Sequence, residues 1–194
     1  LQGEIVVYGP NVMKGYHHKP EATAAVMTAD GGFRTGDRGR LDEDGFLLST
    51  GRFKEQYKLE NGKYVFPAAI EEEIKRIPYV LNAMVFGEGR AFNECLVVPD
   101  IAQLQRHARE LGLSADPKDL LFVRDDETAV ALRMLIGRDI GKHLEGKFGG
   151  YEIPKKFHFV EEDFTVANGL LTQTLKLKRR AVLEHFRDVL ARGS

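Results

Sequence analysis

Glycines at positions 31, 32, 36, 39, 45 and 51 fall too close together for a helix of ordinary length to pass between them. Each glycine in a helix interior costs roughly 1 kcal/mol relative to alanine. Residues 3 to 51 therefore read as short strands broken by turns, "EIVVYGPN" and then "GGFRTGDRGRLDEDGFLLSTGR". Asp44-Gly45, set between two apolar runs, is a strong hairpin signal. Only "KPEATAAVM", with Pro20 suited to a first helical position, offers a short helix here.

After Gly51 the texture changes. Pro67 introduces "AAIEEEIKRI", where Ile70, Ile74 and Ile77 recur at helical spacing and Glu71 to Glu73 read as a solvated face rather than a metal site. "YVLNAMVFGEG" and "NECLVVPD" read as two strands of a hairpin. Asp100 with Gln103 is a capping-box signal for a helix carrying Ile101, Leu104, Ala108 and Leu111 and stopped by Gly112. Leu132, Leu135, Ile136, Ile140 and Leu144 form one apolar stripe on a longer helix from about residue 126 to 147. "KKFHFV" is a further strand, and "KRRAVLEHFRDVLA" is a closing helix with Val182, Phe186, Val189 and Leu190 on one face. Mixed strands and helices of this kind predict an α+β domain with a short antiparallel sheet and packed helices over residues 52 to 194, preceded by a β-rich piece over residues 1 to 51.

Charge and composition narrow the function classes. The 28 basic and 29 acidic side chains nearly cancel, so no global field would draw the chain to nucleic acid or to an anionic bilayer. Anion binding, if present, must be local. The single cysteine, Cys95, excludes an internal disulfide and reads as a small buried hydrophobe in a reducing compartment. No run approaches the roughly 20 apolar residues that a membrane span requires, and a chain opening on Leu1 is expected to be a fragment or a processed product. The histidines are scattered without paired ligand spacing, which argues against zinc. No nucleophile elbow, Cys-His pair or P-loop occurs.

Four stretches hold more glycine and polar residues than folding requires. In "FRTGDRG", Gly36 permits a tight turn and Asp37 offers a carboxylate able to accept two hydroxyl donors. "GRFKEQYKLENGKYV" gathers Arg52, Lys54, Glu55, Lys58 and Gly62 about the expected domain boundary. "YEIPKK" ends one element at Pro154. "GLLTQTLKLKRRAV" places Lys176, Lys178, Arg179 and Arg180 after a loop of Gly, Thr and Gln. That last stretch is either a solvated helix start or a mobile loop that carries a lysine to a negatively charged reacting group.

Taken in order, these stretches resemble the motifs of the adenylate-forming (AMP-binding) enzymes, and among them the long-chain fatty-acid:CoA ligases. "GEIVVYGPNVMKGYHHKPEAT" and "FRTGD" resemble the segment around the nucleotide-binding aspartate, "GRFKEQYKLENGKYVFPAAIE" the hinge motif, and "NGLLTQTLKLKRR" the terminal lysine motif. The resemblance implies that Asp37 and Arg52 contact the ribose of ATP and that Lys54 is the hinge of a mobile C-terminal domain. It also implies that Gly62, with Lys58 on the same loop, borders the pantetheine channel of CoA, and that Lys176 is the catalytic lysine. It implies a complete enzyme using ATP, Mg2+ and CoA with a fatty acid. In that enzyme residues 1 to 51 end a larger N-terminal adenylation domain, and the missing part supplies the phosphate loop and the acyl tunnel. The implied location is cytoplasmic, either free or peripheral to the inner face of the membrane. Alternatives within the resemblance are a ligase loading an acyl-carrier protein or an aryl acid, and a non-catalytic module of the same fold. Three departures stand out: Leu175 precedes the lysine where many adenylating enzymes have glycine, Gln173 stands where the long-chain ligases commonly have proline, and Tyr64 stands where many members have arginine.

Overall fold

The structure, a computed structural model, describes residues 2–110, 121–122 and 127–192. The chain divides into two compact units, Leu1–Gln56 and Tyr57–Ser194. The division falls after Gln56 rather than after Gly51, because Gly51 and Arg52 still belong to a strand of the first unit and a short 3-10 turn, Phe53–Glu55, follows directly.

In the first unit, β1 (Gln2–Val7), β2 (Phe33–Leu41) and β3 (Leu47–Arg52) form an antiparallel meander. The connection from β1 to β2 contains helix α1 (Pro20–Val26), with Pro20 in its first turn. The β2–β3 turn is closed by Asp42, whose amide donates to the Phe46 carbonyl at 3.0 Å and whose carboxylate accepts from the Phe46 amide at 2.8 Å. Among the described residues this unit buries no large apolar side chain, and Phe46 and Leu47 are 69% and 56% exposed. Covering such a side chain is worth about 1.5–3 kcal/mol, so the sheet carries apolar surface suited to a larger body.

The second unit holds the core. A small hairpin, β4 (Tyr57–Lys58) with β5 (Tyr64–Val65), leads into helix α2 (Pro67–Ile74). The main sheet has the order β6 (Val80–Phe86), β7 (Glu94–Pro99), β8 (Lys156–Phe159). Strands β6 and β7 pair antiparallel, as the hairpin pattern predicts, but β8 joins β7 in parallel, so the sheet is mixed. Helices α3 (Ile101–Glu110) and α4 (Glu127–Leu144) come between β7 and β8, and α5 (Arg179–His185) and α6 (Arg187–Arg192) close the chain. The expected closing helix is thus two helices, parted at Phe186. Asp100 caps α3 by accepting from the Gln103 amide at 3.0 Å; the predicted stop at Leu111 and Gly112 lies outside the described residues.

Alternation along the strands divides the core into two layers. Ala83, Val85, Cys95 and Val97 face Ile70 and Ile74 of α2 and Ile136 and Ile140 of α4. Met84, Phe86, Leu96 and Val98 face Phe164, Leu170, Val182 and Phe186. Every residue of β7 is buried, as a central strand covered on both faces must be.

Candidate functional site

The predicted residues fall in both units: Asp37, Arg52 and Lys54 in the first, and Lys58 and Gly62 on one hairpin and Lys176 on a separate turn in the second. In the first, β2 carries extra residues opposite β1: Glu4 pairs with Arg38 and Val6 with Arg34, which leaves Thr35, Gly36 and Asp37 in a bulge. Gly36 adopts φ +73°, so glycine serves a bulge within β2 rather than the tight turn expected. The Thr35 hydroxyl accepts from the Asp37 amide at 3.0 Å and donates to the Ile5 carbonyl at 2.9 Å, which fixes the base of Asp37. Arg52 lies opposite Asp37 in the sheet register, and its Nε reaches Asp37 Oδ1 at 2.8 Å. The two side chains are 49% and 31% exposed, and a pair this open is worth no more than about 1 kcal/mol. Its charged groups can be re-partnered by a polyhydroxyl ligand at small cost. Lys54 sits exposed in the 3-10 turn, with no ion-pair partner among the described residues.

In the second unit, the β4–β5 hairpin presents Lys58 and Gly62. The Gly62 amide donates to the Leu59 carbonyl at 2.9 Å with φ +84°, so the turn itself requires glycine there. A Cβ at this position would meet, within 4 Å among the described residues, only Lys58 Cε at 3.6 Å. Lys58 Nζ stands 5.7 Å from the ring centroid of Tyr64. The hairpin is tied down from behind. Tyr57 donates to Asn93 Oδ1 at 2.6 Å, and the Asn93 amide donates to the carbonyls of Tyr151 and Glu152 at 3.0 and 2.9 Å. Burial pushes the Tyr57 hydroxyl above its ordinary range.

Lys176 is exposed on a tight turn rather than on the loose loop its composition suggests. The Leu175 amide donates to the Thr172 carbonyl at 2.9 Å, the Lys176 amide to Thr172 Oγ1 at 3.1 Å, and the Thr172 amide to the Lys176 carbonyl at 2.9 Å. Leu171 and Leu177 form a bridge below the turn, and the Lys178 amide donates to the Leu170 carbonyl at 2.9 Å. Leu175 adopts φ +59°, in the left-handed region that glycine occupies more readily than leucine. Lys176 has no ion-pair partner among the described residues.

Two functional candidates were not legible in the sequence. Glu71, expected on a solvated face, is 4% exposed. Its carboxylate takes a bidentate pair from Arg179, at 2.6 and 2.7 Å, and accepts from the Val85 amide at 2.8 Å. A second buried cluster joins Glu94 to His158 at 2.6 Å and to Arg90. Burial drives the Glu94 carboxyl upward, but the hydrogen bonds from His158 and Arg90 outweigh it and hold the group below the usual carboxylate range. Cys95 is fully buried and its thiol is pushed up by that burial, so it is the inert hydrophobe expected. A cleft of about 590 Å3 opens beside Arg179, between Phe86, Arg90, Arg180, Arg187 and Leu190, and contains none of the predicted site residues. Among the described residues no group of three His, Cys, Asp or Glu side chains could hold a metal, and no helix is long and apolar enough to cross a membrane.

A carboxylate–guanidinium pair on a bulged sheet is followed along the chain by a glycine hairpin and a lysine turn on a small α+β unit. Residues 54–115 of the chain match the AMP-binding enzyme C-terminal domain family. More narrowly, the chain is 36% identical over 188 residues to long-chain-fatty-acid–CoA ligase 6 of Homo sapiens, covering 96% of this chain and 26% of that protein. It is similar in fold to the adenylation domain of a carboxylate reductase from Mycobacterium chelonae, with TM-score 0.72 and 29% identity over 98% of this chain and 27% of the other. It is likewise similar to the corresponding domain from Segniliparus rugosus in complex with AMP and a co-purified carboxylic acid, with TM-score 0.72 and 26% identity over 98% and 27% of the two chains. The chain spans about a quarter of the length of the curated relatives it matches.

Proposed function

We propose that this chain is part of an ATP-dependent long-chain fatty-acid:CoA ligase, which first joins a carboxylate to AMP with release of pyrophosphate and then transfers the acyl group to the CoA thiol. Asp37 and Arg52 hold the ribose hydroxyls of the nucleotide. Lys176 supplies positive charge to the acyl carboxylate and α-phosphate as negative charge builds between them. Gly62, with Lys58 beside it, borders the path of the pantetheine arm in the second step. Lys54 is the pivot between the two steps, and the unit from Tyr57 onward is the part that turns.

The observation that carries this proposal is Lys176 itself: exposed, without an ion-pair partner among the described residues, and carried on a hydrogen-bonded turn. In open water a unit charge at about 4 Å is worth only about 1 kcal/mol, and several-fold more once solvent is excluded. Lys176 therefore becomes effective only when the remainder of the longer protein covers it. Any Mg2+ would be carried by the nucleotide phosphates and by residues beyond this chain, since magnesium keeps most of its own waters and few protein ligands. The exposed apolar residues of the first unit, Leu41, Phe46, Leu47 and Leu48, are the surface on which the N-terminal adenylation domain would complete its fold.

A second reading is favoured by the fold similarity to carboxylate reductase adenylation domains: the same chemistry with a carrier-bound thiol, or an aryl acid, in place of CoA and a fatty acid. The experiment that separates them uses the longer protein with ATP and a panel of acids, with CoA or a pantetheinylated carrier as acceptor. The proposal expects thioester from a long-chain acid and free CoA. Product from an aryl acid or on the carrier alone would refute it. The 194-residue chain alone is expected to form none.

A further inference from the structure

The pair Glu71–Arg179 lies at a point where three parts of the second unit meet. Because the sheet order is β6-β7-β8, the outer side of β6 has no strand partner. At Val85 on that edge, the amide donates to Glu71 Oε1 at 2.8 Å and the carbonyl accepts from Arg179 Nη1 at 3.3 Å. The ion pair thus takes up both backbone groups of an edge residue and links α2, in one layer of the core, to α5, in the other. Glu71 and Arg179 side chains are 5% and 24% exposed, so the carboxylate has little water to replace a lost partner.

Arg179 is also the first residue of α5, three positions after Lys176. Between them, Leu177 packs into the second core cluster and the Lys178 amide is bonded to the Leu170 carbonyl. The lysine turn therefore stands on a short rigid stem whose charged root is the Arg179–Glu71 fork. We propose that Glu71 and Arg179 are positioning residues for Lys176: they set the direction in which its turn leaves the domain, without touching substrate. This rests on the reading of Lys176 as the cation of the adenylation step. A displacement of about 1 Å at a reacting group costs on the order of a hundredfold in rate, so a fork that fixes the stem to bidentate precision bears on that step and not on the thiol step, which uses the hairpin at Gly62.

The test compares Arg179→Lys, which keeps the charge but loses the fork, and Glu71→Gln, which keeps the shape but loses the charge, with Lys176→Ala alongside. In the longer protein, pyrophosphate release should fall at least about tenfold in kcat for both positioning variants, with KM for ATP unchanged within about twofold, as expected for an interaction made only in the transition state. Thioester formation from supplied acyl-adenylate should stay within about twofold. In the 194-residue chain, the amides of Leu175 and Lys178 should exchange at least about tenfold faster in the variants, while those of β7 keep their rates. Equal losses in both half-reactions, tracking the folded fraction, would mean the pair only holds the domain together and would overturn the proposal, as would no loss in either. If Glu71→Gln fails to fold, Arg179→Lys decides alone. If Lys176→Ala leaves pyrophosphate release unchanged, the role given to Lys176 fails instead, and the exchange rates still show whether the fork holds the turn.

Discussion

Two glycines on one helix should respond in opposite ways to the same substitution. Gly137 and Gly141 both lie within α4, and both become better helix formers as alanine, by roughly 0.8–1 kcal/mol. Around Gly141 a new Cβ would meet nothing within 4 Å, so Gly141→Ala should gain that amount. At Gly137 the new Cβ would lie 2.8 Å from Cδ2 and 3.1 Å from Cε2 of Phe157, whose ring packs against the helix from β8. Relieving such overlap in a packed core typically costs 1–3 kcal/mol, which outweighs the helical gain and leaves Gly137→Ala less stable by up to about 2 kcal/mol. In a chain of this size 1 kcal/mol moves the melting temperature by about 2–4 °C, so thermal or urea unfolding of the 194-residue chain separates the two variants in sign. Equal stabilisation by both would mean that Phe157 moves aside freely and that β8 is not held against α4 as described.

The buried cysteine and the buried glutamate give two further tests. Cys95 should not react with an aromatic disulfide reagent in the folded chain and should react fully in denaturant; rapid labelling of native protein would contradict its burial. The Glu94 carboxyl is held below its ordinary range, so its contribution to stability is complete above the unfolded-state pKa near 4.5 and is lost as pH falls through the lower folded-state value. Urea unfolding of the wild-type chain between pH 6 and pH 3 should therefore show a loss in the acid range that is smaller in Glu94→Gln, and an identical pH dependence in both would rule out Glu94 as its source.

Local chemistry was readable wherever it depended on near neighbours. Pro67 starts α2, Asp100 caps α3, and "YVLNAMVFGEG" and "NECLVVPD" pair as an antiparallel hairpin. What could not be read depended on partners far along the chain. "EEE" looks the same whether Glu71 faces water or meets an arginine 108 residues later. The parallel pairing of Glu94 with Lys156 joins segments whose own periodicity carries no direction. At the candidate site the backbone geometry adds what residue types do not give: Gly62 serves its turn, and hydrogen bonds close the Lys176 turn, with Leu175 in the left-handed region.

The central claim is that Lys176 and the Gly62 hairpin serve different half-reactions. It is tested most directly by measuring pyrophosphate release and thiol consumption from preformed acyl-adenylate, separately, in the longer protein carrying Lys176→Ala or Gly62→Leu. Lys176→Ala should slow the first step by on the order of a hundred- to a thousandfold and nearly spare the second. Gly62→Leu, which sets a branched side chain on the turn at φ +84°, should impair the second and nearly spare the first. Equal losses in both steps for both variants would contradict the assignment of the two residues to two states.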